Sequence, residues 1–415
     1  VSAPPLERER ARALVAHLLR VDGAAARTPA DDDALLPWDV ALAEAGRPLL
    51  PMLAFACDRY GVRPPTPIRA TLDAARRGAA LVLTRRRALM RQLLPALDAA
   101  GIDAVVLKGF ALAHQVYPAP ELRVMNDLDV WVDETRLVEA EAALRPLGWR
   151  VHWRHAPLAE QVAHGVVQLS TGDPLQLLEV HARPASLHES VPDEVPAIWS
   201  RRRRTRLGDI DALVLAPEDQ LLHACVHVAR HHHFIGALPR LLDVSLMVAN
   251  AGDHFDWPAL ALRARRAGAA GWVAVTLAAA QQQFAAPVPA DALARFGIRE
   301  ADDLARLACA QAWAVYEAGV FPTSLLARPT WTSKISGFAS RLRDVLVGSG
   351  RGDLPGDLPS RLRLLSRSAG PGFARALVRV IQGRRPDDAI AQLQRDNRVL
   401  AAQMAQAGES ARLGS

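Results

Sequence analysis

Cysteine is scarce: the 415-residue chain has three, Cys57, Cys225 and Cys309. They are widely spaced and sit in apolar surroundings without metal-ligand spacing. That excludes a disulfide framework and a cysteine-based zinc module, and leaves buried thiols suited to a reducing compartment. Aromatic residues make up only 5% of the chain, while alanine, leucine and arginine dominate, a composition that favours helices. A long hydrophobic run is also missing. The longest uncharged stretch, Ala267 to Ala290, contains three consecutive glutamines and two prolines, and reads as a buried alanine-rich helix and its exit rather than a membrane span. The opening VSAPPLERERARALV lacks the layout of a secretory leader, so the expected location is cytoplasmic, with no membrane partner. Lysine is nearly absent: of 50 basic residues only Lys108 and Lys334 are lysines. The chain uses arginine wherever either would serve, so a lysine at position 108 suggests a specific requirement.

What is present allows two or three domains with a substantial core, since half the residues are hydrophobic. The net charge of +6 attracts anions but does not diagnose nucleic-acid binding. Residues 1–100 read as a helical N-terminal region carrying the arginine clusters Arg76-Arg77 and Arg85-Arg86-Arg87, expected on a solvated helix face. Asp31 to Asp33 suggests a further short helix. Residues 101–215 alternate strand and helix patterns, with strands expected at 104–107, 127–132, 149–153, 166–169, 175–181 and 212–215. The run Arg201-Arg202-Arg203-Arg204 reads as a basic loop. Residues 216–345 read as a helical domain packing on this core. It opens at Pro217-Glu218-Asp219, a helix start with acids in the first turn. His223, His227 and His231 follow on one helix face. Zinc is one reading of that spacing; a buried hydrogen bond between His227 and Asp243 is the preferred one. His152, His155 and His164 form no tight metal motif. Residues 346–415 read as a linker and C-terminal helices. The last helix, over 387–407, has seam-like spacing that suits packing on its own domain or pairing into an oligomer.

The stretch from Ala104 to Val132, AVVLKGFALAHQVYPAPELRVMNDLDVWV, carries the chemistry. A buried strand ends at Lys108-Gly109, a turn that brings backbone N–H groups and a helix N-terminus toward a phosphate. In Asp127-Leu128-Asp129-Val130-Trp131-Val132 the two carboxylates fall on one strand face and the aliphatic residues on the other. Two acids one pleat apart repel each other, and a divalent cation between them reverses the sign. In Leu177-Leu178-Glu179-Val180-His181 the same alternation puts Glu179 and His181 on one face. Were the two strands neighbours, Asp127, Asp129 and Glu179 would form an oxygen-rich cluster for Mg²⁺ or Mn²⁺. A pair of ions so held can clamp the attacking and leaving oxygens of a nucleotidyl transfer. His181 can orient Glu179, contact phosphate or serve as a base.

The order LKG, then RVMNDLD, then LEVH resembles the polymerase-beta-like nucleotidyltransferase superfamily, and more closely a bacterial family of uncharacterised nucleotidyltransferases. The resemblance covers roughly Leu93 to Val248. It implies an α+β fold: a small mixed-sheet core between large helical N- and C-terminal regions. It also implies Asp127 and Asp129 as the metal-binding pair, Glu179 as the third carboxylate, and Lys108-Gly109 in place of the usual Gly-Ser turn that holds the triphosphate. Arg123 is a further candidate for the triphosphate. The expected activity is Mg²⁺-dependent transfer of a nucleoside monophosphate from an NTP, with ATP the expected donor, releasing pyrophosphate. The acceptor is expected to be a small molecule, peptide or protein rather than RNA, since no RNA-binding module is recognisable. The missing serine keeps a second reading open, a nucleotide-binding or interaction protein without turnover. A third rests on the arginine runs alone and is a helical RNA-binding protein.

Overall fold

The computed structural model describes residues 3–22, 36–152, 158–173, 176–188, 191–298, 301–313, 399–400, 402–404 and 406. The short helix expected at Asp31, His155, the linker after residue 348 and most of the final helix lie outside them. Four helices come first: α1 (Pro5–Leu18), α2 (Trp38–Ala45), α3 (Leu50–Tyr60) and the 34-residue α4 (Thr66–Ala99). Next come β1 (Ala104–Val106), α5 (Lys108–Gln115), β2 (Leu128–Val132), α6 (Leu137–Leu144), β3 (Arg150–Val151), α7 (Leu158–Ala163), β4 (Val166–Ser170) and β5 (Leu177–His181). They continue through α8 (Ala185–His188), α9 (Val195–Ser200), β6 (Arg203–Leu207) and β7 (Ile210–Val214). A second helical region holds α10 (Pro217–Val226), a π-helical turn at His227–His231, α11 (Leu238–Ala249), α12 (Trp257–Arg266), α13 (Ala270–Phe284), α14 (Ala290–Ala294) and α15 (Ala301–Ala312). No single helix among the described residues is long and apolar enough to cross a membrane.

The architecture is mixed α/β around one seven-stranded sheet of order β3-β4-β5-β2-β1-β7-β6. β2 runs parallel to β5 and β1 runs parallel to β7; the other neighbours are antiparallel. The sheet is larger by one strand than the sequence patterns suggested. The extra strand is β6, which takes up much of the arginine run read as a loop. Its backbone pairs with β7 through the turn at Gly208, while Arg203, Arg204 and Arg206 point to solvent. An edge strand needs no apolar face, and charge on it discourages pairing with another sheet.

The period-2 pattern sorts the strand residues onto two faces. Leu128, Val130 and Val132 of β2, Val106 of β1 and Leu178 and Val180 of β5 join one core with Met90, Leu93 and Leu97 of α4 and with α6. Each such aliphatic side chain contributes about 2 kcal/mol by leaving water. The opposite face, with Val105 and Trp131, belongs to a second core shared with α1–α3 and α10–α15. The alanine-rich α13 is buried almost all round, as an apolar helix without a polar face must be, and it packs against α10, α11 and α15. Leu400 and Met404 are buried in this core too, so that part of the C-terminal segment packs on its own chain. Asp219 of α10 is wholly buried and receives Arg201 and Arg263, each at 2.8 Å. That pairing ties the sheet's return segment to α10 and α12.

Candidate active site

The parallel ladder between β2 and β5 places Asp129 directly beside Glu179, and the antiparallel ladder between β5 and β4 places Gln168 beside Glu179. Side chains at paired positions share a face, so the three form one row across the sheet. His181 stands one step further along β5, paired with Trp131. Asp127, just before β2, has the same parity as Asp129. The end of β1 is tied to β2 by Leu107 N–H donating to the Asp129 carbonyl at 3.0 Å, which delivers Lys108 to this face.

Lys108 Nζ donates to Asp129 Oδ1 at 2.6 Å and lies 3.9 Å from Glu179 Oε2. His181 Nε2 is 3.0 Å from Asp129 Oδ1 and 3.2 Å from Glu179 Oε2. Gln168 Nε2 donates to Glu179 Oε1. These contacts divide the acids electrically. Burial alone would raise the Asp129 carboxyl, but Lys108 and His181 outweigh it and hold it below the usual carboxylate range. For Glu179 burial again pushes upward, and the His181 hydrogen bond brings it below its ordinary value. Asp127 has no such partners. Burial, then repulsion from Asp129 and Glu179, pushes it up to about 6. His181 is lowered by burial and raised further by Asp129 and Glu179, for a net rise that favours the imidazolium. Asp129, Glu179 and His181 each present a ligand atom within 4.8 Å of the others, the one such group among the described residues. Carboxylate oxygens are the hard donors that a divalent cation such as Mg²⁺ takes, while an imidazole that keeps its Nε2 proton orients them rather than ligating.

Arg86 positions the two acidic strands. It is 2% exposed, and its guanidinium donates to the carbonyls of Asn126 and Leu177, the residues that precede Asp127 and open β5. The sequence reading had placed it on a solvated helix face. Its neighbours do stay near water, where Arg87 and Arg91 pair with Asp209, and Arg76 with Asp58.

A cavity of about 340 Å³ opens over the acids. Its second wall comes from the helices. Arg123 lines it, held by Asp243 at 2.7 and 2.8 Å. Tyr117 also donates to Asp243, at 2.7 Å. The oxygens of Asp243 are thus taken by Arg123 and Tyr117 rather than by His227. Arg240 lines the cavity as well. Among the described residues its guanidinium has no hydrogen-bond partner, and burial and Arg123 together lower its pKa to about 10, still charged at neutral pH.

His223, His227 and His232 complete this wall. His223 Nε2 is buried without a partner, and burial followed by the Lys108 charge pushes its pKa down to about 3. Burial likewise keeps His227 and His232 neutral. The His223 and His227 rings lie 5.9 Å apart, and the histidines form no ligand cluster like that of Asp129, Glu179 and His181, so the zinc reading has no support. The turn that presents them is strained: a π-helical stretch is followed by left-handed backbone at His233 (φ 47°) and Phe234 (φ 58°). Such departures gather where a site dictates the backbone.

A family model described as "Uncharacterised nucleotidyltransferase" matches residues 37–285, well over half of the chain. The chain belongs to that family. The matched span contains the whole sheet and both cavity walls, from Lys108 and the three acids to Arg240 and Asp243. Comparison with curated proteins and with solved structures gives no match. Residues of this nucleotidyltransferase's site that escaped the sequence reading include Gln168 and Tyr117, which bond Glu179 and Asp243, and also Arg86 and Arg240. Arg86 was hidden in an arginine cluster whose other members are exposed. Arg240 stands in Arg240-Leu241-Leu242-Asp243, and the short spacing to Asp243 was the one available signal.

Proposed function

We propose that this protein transfers a nucleoside monophosphate from an NTP, ATP first among the candidates, to an acceptor hydroxyl, with Mg²⁺ or Mn²⁺ and release of pyrophosphate. The observation that carries the proposal is the Asp129–Glu179 pair in register on adjacent parallel strands, with Asp127 on the same face, opening into a cavity whose far wall is cationic. Asp127 and Asp129 would hold the metal, with Glu179 completing the site, and the metal would supply charge neutralisation at the transferring phosphorus. The Gly109 backbone, Arg123 and Arg240 bind the polyphosphate, and Lys108 faces the α-phosphate from among the acids. The acceptor O–H gives its proton to a carboxylate of the cluster. The acceptor oxygen bonds to the α-phosphorus as the bond to pyrophosphate breaks. His181, held between two carboxylates and favouring the charged form, serves as a positioning residue rather than a base. Catalysis on this reading is mostly positioning and charge compensation.

The enclosing helical wall favours a small molecule or an extended peptide as acceptor over an RNA duplex. The test is a thermal-shift and pyrophosphate-release screen of the four NTPs with Mg²⁺ or Mn²⁺, on wild type, Asp127→Asn and Asp129→Asn. Metal-dependent stabilisation by an NTP, lost in both variants, is the expected result. No response to any NTP in either metal would refute the proposal.

A further inference from the structure

Three observations about Lys108 converge. The first is its backbone, which is left-handed with φ at +48° although the residue carries a side chain. That conformation costs roughly 1 kcal/mol for a residue with a Cβ and almost nothing for glycine. Glycine does follow, but Gly109 lies within α5, and its missing Cβ serves packing: one placed there would meet Met125 Cβ at 3.1 Å. The chain therefore accepts strain in order to keep a side chain at position 108, and it spends one of its two lysines there.

The second is where the ammonium sits. It bridges acids of two neighbouring strands, 2.6 Å from Asp129 Oδ1 and 3.9 Å from Glu179 Oε2. The third is the state of the carboxylate oxygens. Asp129 Oδ1 faces Lys108 and His181, Glu179 Oε2 faces His181, and Glu179 Oε1 accepts from Gln168. Of the six carboxylate oxygens in this cluster, Asp129 Oδ2 and the two Asp127 oxygens are the ones with neither a hydrogen bond nor an ion-pair contact among the described residues. Two divalent ions held roughly 3.5–4 Å apart draw on oxygens from every carboxylate of such a site. Here three oxygens remain open, enough to anchor one ion with phosphate and water completing its shell, and the other cation position carries an ammonium.

Resting on the nucleotidyl-transfer reading, we propose that this site takes a single divalent cation, and that the Lys108 ammonium supplies the positive charge a second ion would bring. Lys108 also lines the cavity, so an N–H not spent on Asp129 is available to an α-phosphate oxygen. The site is then assembled with one of its cations already in place. The lysine stands where a glycine would cost less because a glycine would leave that charge to be recruited from solution.

The test is a Mn²⁺ titration of the full chain, with a non-hydrolysable NTP analogue present, followed by electron paramagnetic resonance. Wild type is compared with Lys108→Gly, which removes the ammonium and fits the left-handed backbone, and with Lys108→Met, which keeps the chain length. Wild type should bind one Mn²⁺ with the resolved hyperfine pattern of an isolated ion. Both variants should bind two, with the broadened signal of a coupled pair. Two ions in wild type would overturn the inference while leaving nucleotidyl transfer standing. One ion in wild type and variants alike would remove Lys108 from the role. No Mn²⁺ bound by any of the three would overturn the transfer reading as well.

Discussion

Asp127 and Asp129 lie on one face two residues apart, yet neutralising them should move stability in opposite directions. Asp127 titrates at about 6 in place of 3.8, because it is buried near two other carboxylates without a hydrogen-bonded cation of its own. A carboxyl raised in the folded state is neutral in the folded and unfolded chains alike at low pH, and costs nothing there. As pH rises from about 4 to about 6 the unfolded chain ionises first, and stability is lost until the folded pKa is passed. At about 1.4 kcal/mol per pH unit the loss reaches roughly 3 kcal/mol by pH 7. Asp127→Asn does not suffer it. The variant should match wild type below pH 4 and exceed it by roughly 3 kcal/mol at pH 7, or about 5 °C in Tm. Asp129→Asn behaves otherwise. Its carboxylate is held low by Lys108 and His181, so the amide leaves a part-buried ammonium and a buried imidazolium without their main partner. Breaking such a pair costs about 3 kcal/mol. The assay is urea unfolding of wild type and both variants from pH 4 to pH 8, in EDTA so that no ion alters the balance. A shift of the same sign in both variants at pH 7, or an Asp127→Asn gain that does not grow with pH, would refute this account of the site.

Two further outcomes follow from the same geometry. Arg86→Met should leave the carbonyls of Asn126 and Leu177 without their buried donor and lower stability by about 3 kcal/mol in denaturant unfolding, and Arg86→Lys should recover only part of it. Arg240→Gln should raise stability toward unfolding at neutral pH, because burial and Arg123 disfavour a guanidinium that has no hydrogen-bond partner among the described residues. The same change should weaken NTP binding about tenfold or more in a fluorescence titration; unchanged affinity would remove Arg240 from the polyphosphate wall.

The charge pattern of the site was readable wherever it is local. Alternation in Asp127–Val132 and Leu177–His181 separates acids from aliphatics because side chains of a strand point to opposite faces by covalent geometry alone. The same rule placed Val130 and Val180 in the core and Glu179 and His181 together on the other face. The rarity of lysine singled out Lys108 before any contact was known. The start of α10 at Pro217 and the buried character of α13 were likewise legible, since helix starts and uniform apolarity are properties of neighbours in the chain.

What the sequence could not decide is which distant groups meet. Whether β5 lies beside β2, and in a register that pairs Asp129 with Glu179, depends on how the whole sheet is ordered. Arg86 and Arg87 are adjacent in the chain, but one is buried beneath the acidic strands and the other pairs with Asp209 near solvent. Arginine has no intrinsic preference that separates them; the rotation of α4 against the sheet does. Arg123 finds Asp243 across 120 residues, and among the described residues Arg240 is left without a hydrogen-bond partner, that carboxylate being already taken. β6 was invisible because an edge strand is held by its backbone, and its exposed arginines carry no period. Local chemistry determined which residues this chain could use for nucleotidyl transfer. Only the packing of two helical regions against one sheet determined which of them face each other, since an ion pair or a buried cation is a property of its surroundings and not of its own residue.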